Sequence, residues 1–383
     1  MVVWPFIPQR EFTESLEWLT EVLRSKGAEQ RISLRPQARQ EHFFEYLVDD
    51  QQLARAKYLA RFAGAEELAV PSWEFMSRVG TVALGATSVA VDTTEAPYRV
   101  GDMAIVWQED DFFEVRQIEE MTGTSIAWPS LPLERAYGLA YVMPVRASQF
   151  LQEPEASRGT NPLKRLQARF ITTQFYSLGD DFDAGYPTYR GYDVMDDRTV
   201  LLSDVSERYA REASTIDSGL GLIWREPEYN YPVQTGSVAW SLDNHSDLWR
   251  LRGWLDARRG RWRGFWLPSW NADFVLMANA TSASTTLTVR NVGHHLYDGV
   301  RDVMVLMTNG DKHFLRVSSA SAGFSGNEVL NLAAPLGFNL SMADAQLICL
   351  MTYMRLDTDR VEIKHRAARG ADVAVNVMEV PEP

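Results

Sequence analysis

The 383 residues, 45% of them hydrophobic and 23% charged, suit a folded chain of two or three domains whose core needs no covalent staples. A formal net charge of −13, from 51 acidic and 38 basic residues, argues against nucleic-acid binding as the main task. The single cysteine, Cys349, excludes an intramolecular disulfide; in the apolar run from Gln346 to Leu350 it reads as a buried small hydrophobe, in keeping with assembly in a reducing cytoplasm.

The opening Met1-Val-Val-Trp-Pro-Phe-Ile-Pro8 has no basic start and is broken by Pro5 and Pro8, so it does not read as a secretory signal. No stretch reaches the ~20 apolar residues of a membrane span, and no membrane insertion is expected. Phe44-Glu-Tyr-Leu leads into a first helix, capped by Asp49 or Asp50, with Leu53, Ala56, Ala60 and Ala63 on its buried face and Gly64 as its stop. Pro71-Ser-Trp73 follows, and then short strands at Ser88–Asp92, Met103–Trp107, Phe113–Ile118, Ser125–Trp128 and Tyr141–Arg146. An alternating strand through Ala168, Phe170 and Thr172 closes this part, and the Gly-, Asp- and Pro-rich stretch from Gly179 to Pro187 reads as a linker.

The order then starts again. Trp240-Ser-Leu-Asp leads into a helix with Ser246 as expected N-cap, an apolar stripe of Leu248, Leu251 and Leu255, and Gly260 as stop. Pro268-Ser-Trp270 follows, with strands at Thr286–Arg290, Val303–Met307, His313–Val317, Glu328–Leu332 and Cys349–Leu356, and a closing strand through Val373, Val375 and Val377. Both stop glycines are expected in the left-handed conformation.

These two series match each other. Phe44 with Trp240, Tyr58 with Trp254 and Gly64 with Gly260 share an offset of 196 residues, and Pro71 with Pro268 an offset of 197. Thr87–Val91 then resembles Thr285–Val289, Asp102–Val106 resembles Asp302–Leu306, Phe112–Val115 resembles Phe314–Val317, Arg146 matches Arg355, and Arg158-Gly159 matches Arg369-Gly370. The reading is a mainly β chain with a few helices, built by tandem duplication. Copy one covers 1–178, the linker 179–185 and copy two 186–383. Each carries an inserted small β-barrel or sandwich module, at about 76–140 and 273–347.

The candidate interface is the Arg- and Trp-rich run 249–266, in which Trp249, Arg250, Arg252, Arg258, Arg259, Arg261, Trp262 and Arg263 offer forks and rings that protein interfaces favour. Stacking on nucleic-acid bases is the competing use of such residues. His294, His295 and His313 lack the spacing of a zinc site, and Asp180, Asp181 and Asp183 lack the acidic twelfth position of a calcium loop, so no metal is assigned. No phosphate loop, nucleophile elbow or HExxH motif occurs; no catalytic or cofactor-binding residue is assigned, and the expectation is not an enzyme.

The stretch from Gly260 to Trp270, with the opening Glu14–Leu23 and Glu29-Gln-Arg-Ile-Ser-Leu-Arg35, resembles minor tail proteins of long-tailed (siphovirus-type) bacteriophages, of the distal tail or baseplate hub family. The inserted β segments, with Gly101-Asp102 and Val115-Arg-Gln-Ile118, are similar to small β modules of tail-tip proteins. The resemblance implies tail-tube-like domains in a ring that joins the tube to the tip around a DNA channel. It implies partners that are further copies of the chain and other tail proteins, a place in the virion tail after assembly in the host cytoplasm, and no cofactor. A trimer with pseudo-six-fold symmetry is preferred to a hexamer. The surplus acidic charge is expected toward the channel, where it would not hold passing phosphates. The alternatives are a carbohydrate- or receptor-binding tail module and a tail-associated wall hydrolase.

Overall fold

The computed structural model describes all residues except 1, 26–27, 64–65, 158–161, 175–177, 179–183, 199–207, 211–212, 228–232, 297–300, 367–369 and 383. The chain is mainly β, with 53% of residues in strands and two α-helices. None of the helices among the described residues is long and apolar enough to cross a membrane. Gly64, Arg158, Gly159, Arg369 and the linker aspartates Asp180, Asp181 and Asp183 lie outside the described residues.

In the first half, strand Arg39–Val48 turns Phe44, Tyr46 and Val48 into the core. Asp49 caps the helix that follows, α1 (Asp50–Ala63): its carboxylate accepts from the backbone N–H of Gln51 and Gln52 at 2.8 Å, and the Gln52 side chain accepts from the Asp49 N–H at 2.9 Å. This reciprocal bonding satisfies donors that a helix start leaves open. Leu53, Ala56 and Leu59 pack inward. Strand Leu68–Pro71 then pairs with the long strand Tyr137–Ser157, whose end runs antiparallel to Lys164–Thr172, and that strand returns beside Arg39–Val48.

The second half runs the same way. Strand Val233–Leu242 leads into α2 (His245–Arg258), strand Phe265–Pro268 pairs with Ala345–Leu356, and Ala371–Glu379 returns beside Val233–Leu242. The N-cap of α2 is Asn244, which accepts from the Asp247 N–H at 2.8 Å, not Ser246. Ser246 lies inside the first turn and donates its hydroxyl to Glu95 of the first half. Arg259 and Gly260 end the helix with φ of 50° and 65°, so the stop expected at Gly260 holds. A Cβ there would stand 2.9 Å from the Asp359 Cα, which reserves the place for glycine.

Between helix and long strand each half builds a satellite core. One gathers Val89, Val106, Ile126 and Trp128, the other Leu287, Val305, Leu330 and Ile348. Val89 stands opposite Ile126 and Leu287 opposite Leu330, so the two cores are framed alike.

With Pro71 and Pro268 set as equivalent positions, sheet register pairs other residues across the halves than the sequence matches do. Pro71 faces Val145, which faces Met103; Pro268 faces Met351, which faces Asp302. Asp302 therefore takes the place of Met103, not Asp102. By the same framing Phe314, opposite Met304, takes the place of Val115, opposite Ile105, and not of Phe112. Arg146 faces Val70, and the residue facing the corresponding Leu267 is Thr352, so Arg355 is not its counterpart. Tyr58 is 61% exposed while Trp254 is fully buried, so these two side chains stand in different surroundings. Similarity of residue type cannot see a one-residue slip, and a one-residue slip turns every side chain to the opposite face.

Candidate assembly interface

The halves are joined by a strand near the start of the first. Phe12–Glu17 pairs antiparallel with Arg39–Val48 on one side and with Arg360–His365 of the second half on the other. A continuous antiparallel run results: the end of Tyr137–Ser157, then Lys164–Thr172, Arg39–Val48, Phe12–Glu17, Arg360–His365, Ala371–Glu379, Val233–Leu242 and Arg208–Ala210. Leu16, Trp18 and Ala38 of the first half are part of the second half's core, against residues such as Val361 and Ile363. Burying an aromatic of this size across the junction is worth several kcal/mol, about 3–5 by truncation.

A hairpin follows the joining strand: Thr20–Arg24 paired with Glu29–Ser33. It lies over the second half. The Thr20 N–H donates to the Asp359 carboxylate at 2.9 Å, Arg261 donates to the Thr20 carbonyl at 2.9 Å, and the buried Arg355 donates to Glu29 at 2.8 Å. Burial alone would raise the Glu29 carboxyl, but Arg355 and Arg24 hold it below the usual carboxylate range.

Beneath the joining strand sits a buried ion network. Both oxygens of Glu14 accept from the Arg252 guanidinium of α2, and His365 Nε2 lies 3.0 Å from one of them. Next to it His42 Nε2 is 3.3 Å from Glu74. Burial favours the neutral form of each group; for Glu14 the Arg252 charge and the His365 bond overcome it and hold the carboxyl well below its ordinary value. For His42 the Glu74 carboxylate overcomes burial and raises the imidazole. Glu14, His42 and Glu74 bring three ligand-type atoms within 4.8 Å of one another. The Arg252 fork already neutralises Glu14 there, and a divalent cation beside a guanidinium would meet like charge. The network is therefore an electrostatic clamp between halves.

The Arg- and Trp-rich run is largely engaged within the chain. Trp249 meets Phe75 of the first half edge-on, with ring centroids 5.8 Å apart. Arg250 lies over the Tyr186 ring at 3.9 Å and pairs with Asp197. Arg252 serves Glu14, Arg258 bonds Asp193 and the Gly264 carbonyl, and Arg261 pairs with Asp359. Arg259 and Arg263 stack on Trp262 at 4.9 and 4.3 Å. The segment thus meets the first half through Trp249, Arg252 and Arg261, through the Arg259 carbonyl, which accepts from the Thr20 hydroxyl at 3.3 Å, and through the core that Leu251, Trp254 and Leu255 share with Leu16 and Trp18. Of the histidines, His295 bonds Glu328, His294 packs on Phe274 and His313 stacks on Phe338, so they are not drawn into one site.

Sequence reasoning missed the second hairpin. Ala213–Ile216 pairs with Trp224–Pro227, directly after strand Arg208–Ala210 and before Val233–Leu242. Its end carries Leu220 and Leu222, 96% and 99% exposed, with Ile223 and Trp224 also exposed. The signal was legible as an apolar Leu-Gly-Leu-Ile-Trp run beside Gly219, but apolar runs usually announce core. No family model matches the chain, and no curated protein matches it either.

Proposed function

We propose that the chain is a tandem duplication of one tail-tube-like β unit with a flanking helix and an inserted β module, and that it is a structural ring protein of a phage tail tip. In this reading the ring joins the tail tube to the tip around the DNA channel and contacts neighbouring tail proteins. Its work is geometric, not catalytic: identical contacts closed by symmetry hold a pore open. The observation that carries it is the repeated order of joining strand, hairpin, strand, helix, strand, satellite core and closing strand, with the first set laid edge to edge on the second. Two units per chain reach six-fold geometry with three subunits, so a homotrimer is favoured over a hexamer.

Particle-averaged images of the purified protein, with mass photometry, test this. The expected result is a closed ring of three subunits and six similar lobes. A ring of six subunits overturns the trimer and keeps the ring. A protein that stays monomeric at every concentration and builds no ring with purified tails overturns the reading.

A further inference from the structure

The contact the first half makes with the second is made once inside the chain, and the second half carries similar donor parts with no described strand of this chain paired beyond them. Strand Arg208–Ala210 pairs with Val233–Leu242, and among the described residues its outer edge pairs with no strand. Tyr209 stands opposite Gln234, on the face of Trp240 and Leu242, just as Leu16 stands opposite Gln40 on the face of Phe44 and Tyr46. Leu16 is 4% exposed because the second half covers it; Tyr209 is 70% exposed.

The acceptor part is repeated too. Inside the chain the joining strand lies against Arg360–His365, which hairpins into Ala371–Glu379. In the first half the end of Tyr137–Ser157 stands in the same relation to Lys164–Thr172, and from Gln149 onward its other edge pairs with no described strand. We infer that strand Arg208–Ala210 and the hairpin Ala213–Pro227 dock on this edge of the first half of a second copy of the chain, head to tail. The inference rests on the two-copy reading above.

Charge supports the pairing and its direction. Within the chain the donor strand is acidic, with Glu14 and Glu17, and the acceptor, which carries Arg360, Glu362 and Lys364, sets Arg360 opposite Glu17. Between chains the signs are exchanged: Arg208 on the donor strand meets Glu153 and Glu155 on the acceptor edge. Crossing the two systems would set like charges together, which keeps each donor to its own acceptor. Pro154 and two register irregularities blunt the acceptor edge against indiscriminate pairing. A partner must then bring side-chain contact as well as backbone. The second hairpin does so with Leu220, Leu222, Ile223 and Trp224, and the acceptor edge offers the exposed Leu151.

Cysteine crosslinking between separately made chains tests the contact. The natural thiol, Cys349, is fully buried, and burial pushes it up to about 11, so it stays silent to a maleimide. Protein carrying Tyr209→Cys is mixed with protein carrying Leu151→Cys, Glu153→Cys or Glu155→Cys and treated with a short bis-maleimide. The control partner carries Leu84→Cys on the first satellite module. A covalent dimer with at least one edge variant, and none with the control, is the expected result. A variant combining Leu220→Ser, Leu222→Ser, Ile223→Ser and Trp224→Ser should keep its thermal melt, since these side chains are exposed, and lose assembly at least tenfold in concentration. Rings that form without the crosslink, or that survive the quadruple change, overturn this contact and leave the ring reading standing. Crosslinked chains that grow as open filaments support the contact and overturn the closed ring.

Discussion

The hairpins Thr20–Ser33 and Ala213–Pro227 each follow a short strand and precede the strand that leads into a helix, yet their surroundings are opposite. The first is held on the second half by Arg355, Asp359 and Arg261 and carries charge at its contacts, with Glu29 and Arg24. The second carries an exposed apolar tip. Tethering explains the difference. A contact within one chain is made at high effective concentration, so polar pairing suffices, whereas a contact between separate chains must also overcome lost translational freedom and needs apolar area to do so. The buried Glu14–Arg252 clamp belongs to the tethered side of that comparison.

The largest break comes from removing the clamp. Glu14→Ala leaves Arg252 and His365 buried without their counter-charge and should cost about 3–5 kcal/mol in a urea melt. Arg225→Ala on the exposed hairpin should stay within about 0.5 kcal/mol for the isolated chain. Equal losses would erase the contrast between the two regions. Trp18→Ala comes next: it empties a fully buried site in the second half's core and should cost about 3–4 kcal/mol, while Tyr209→Ala should leave the melt of the isolated chain nearly unchanged.

Gly260→Ala acts on the turn that supports the first hairpin. A left-handed alanine with its Cβ against Asp359 should cost roughly 2 kcal/mol. A melt within experimental error of the natural protein would show that Asp359 moves freely and that its bonds to Thr20 and Arg261 do little.

The smallest effect is pH dependence. His42 is raised above 6.5 in the folded chain, so its contribution is fully present below 6.5 and is lost as pH rises through the folded value. The stability difference between the natural protein and His42→Gln should therefore shrink as pH rises above 6.5. Glu14 is depressed below 4.5, so its contribution is present above 4.5 and is lost as pH falls through the folded value. A difference that grows toward alkaline pH would remove His42 from the clamp.

Local signals were legible at the helices and closing strands. The cap expected at Asp49 or Asp50, the stripe of Leu248, Leu251 and Leu255, the stop at Gly260, and the alternation of Val373, Val375 and Val377 all act between residues a few positions apart, and the structure bears them out, with Asp49 as the cap. Such signals need only the period of a helix or strand, which is written in the order of residues. The mainly β character of the chain, with few helices, was legible for the same reason.

Tertiary structure alone decided the strand register within each half, in which Val145 faces Met103 and Met351 faces Asp302. It decided that Glu14, His42, Glu74, Arg252 and His365 converge from both ends of the chain, since no spacing rule links residues brought together by strand pairing. It also decided which apolar residues are covered. Leu16 and Trp18 are buried because Arg360–His365 comes to lie beside them, and Leu220, Leu222 and Trp224 are exposed because no described element of the same chain reaches them. Burial depends on what arrives at a surface, and the order of residues states only which surfaces gain by being covered.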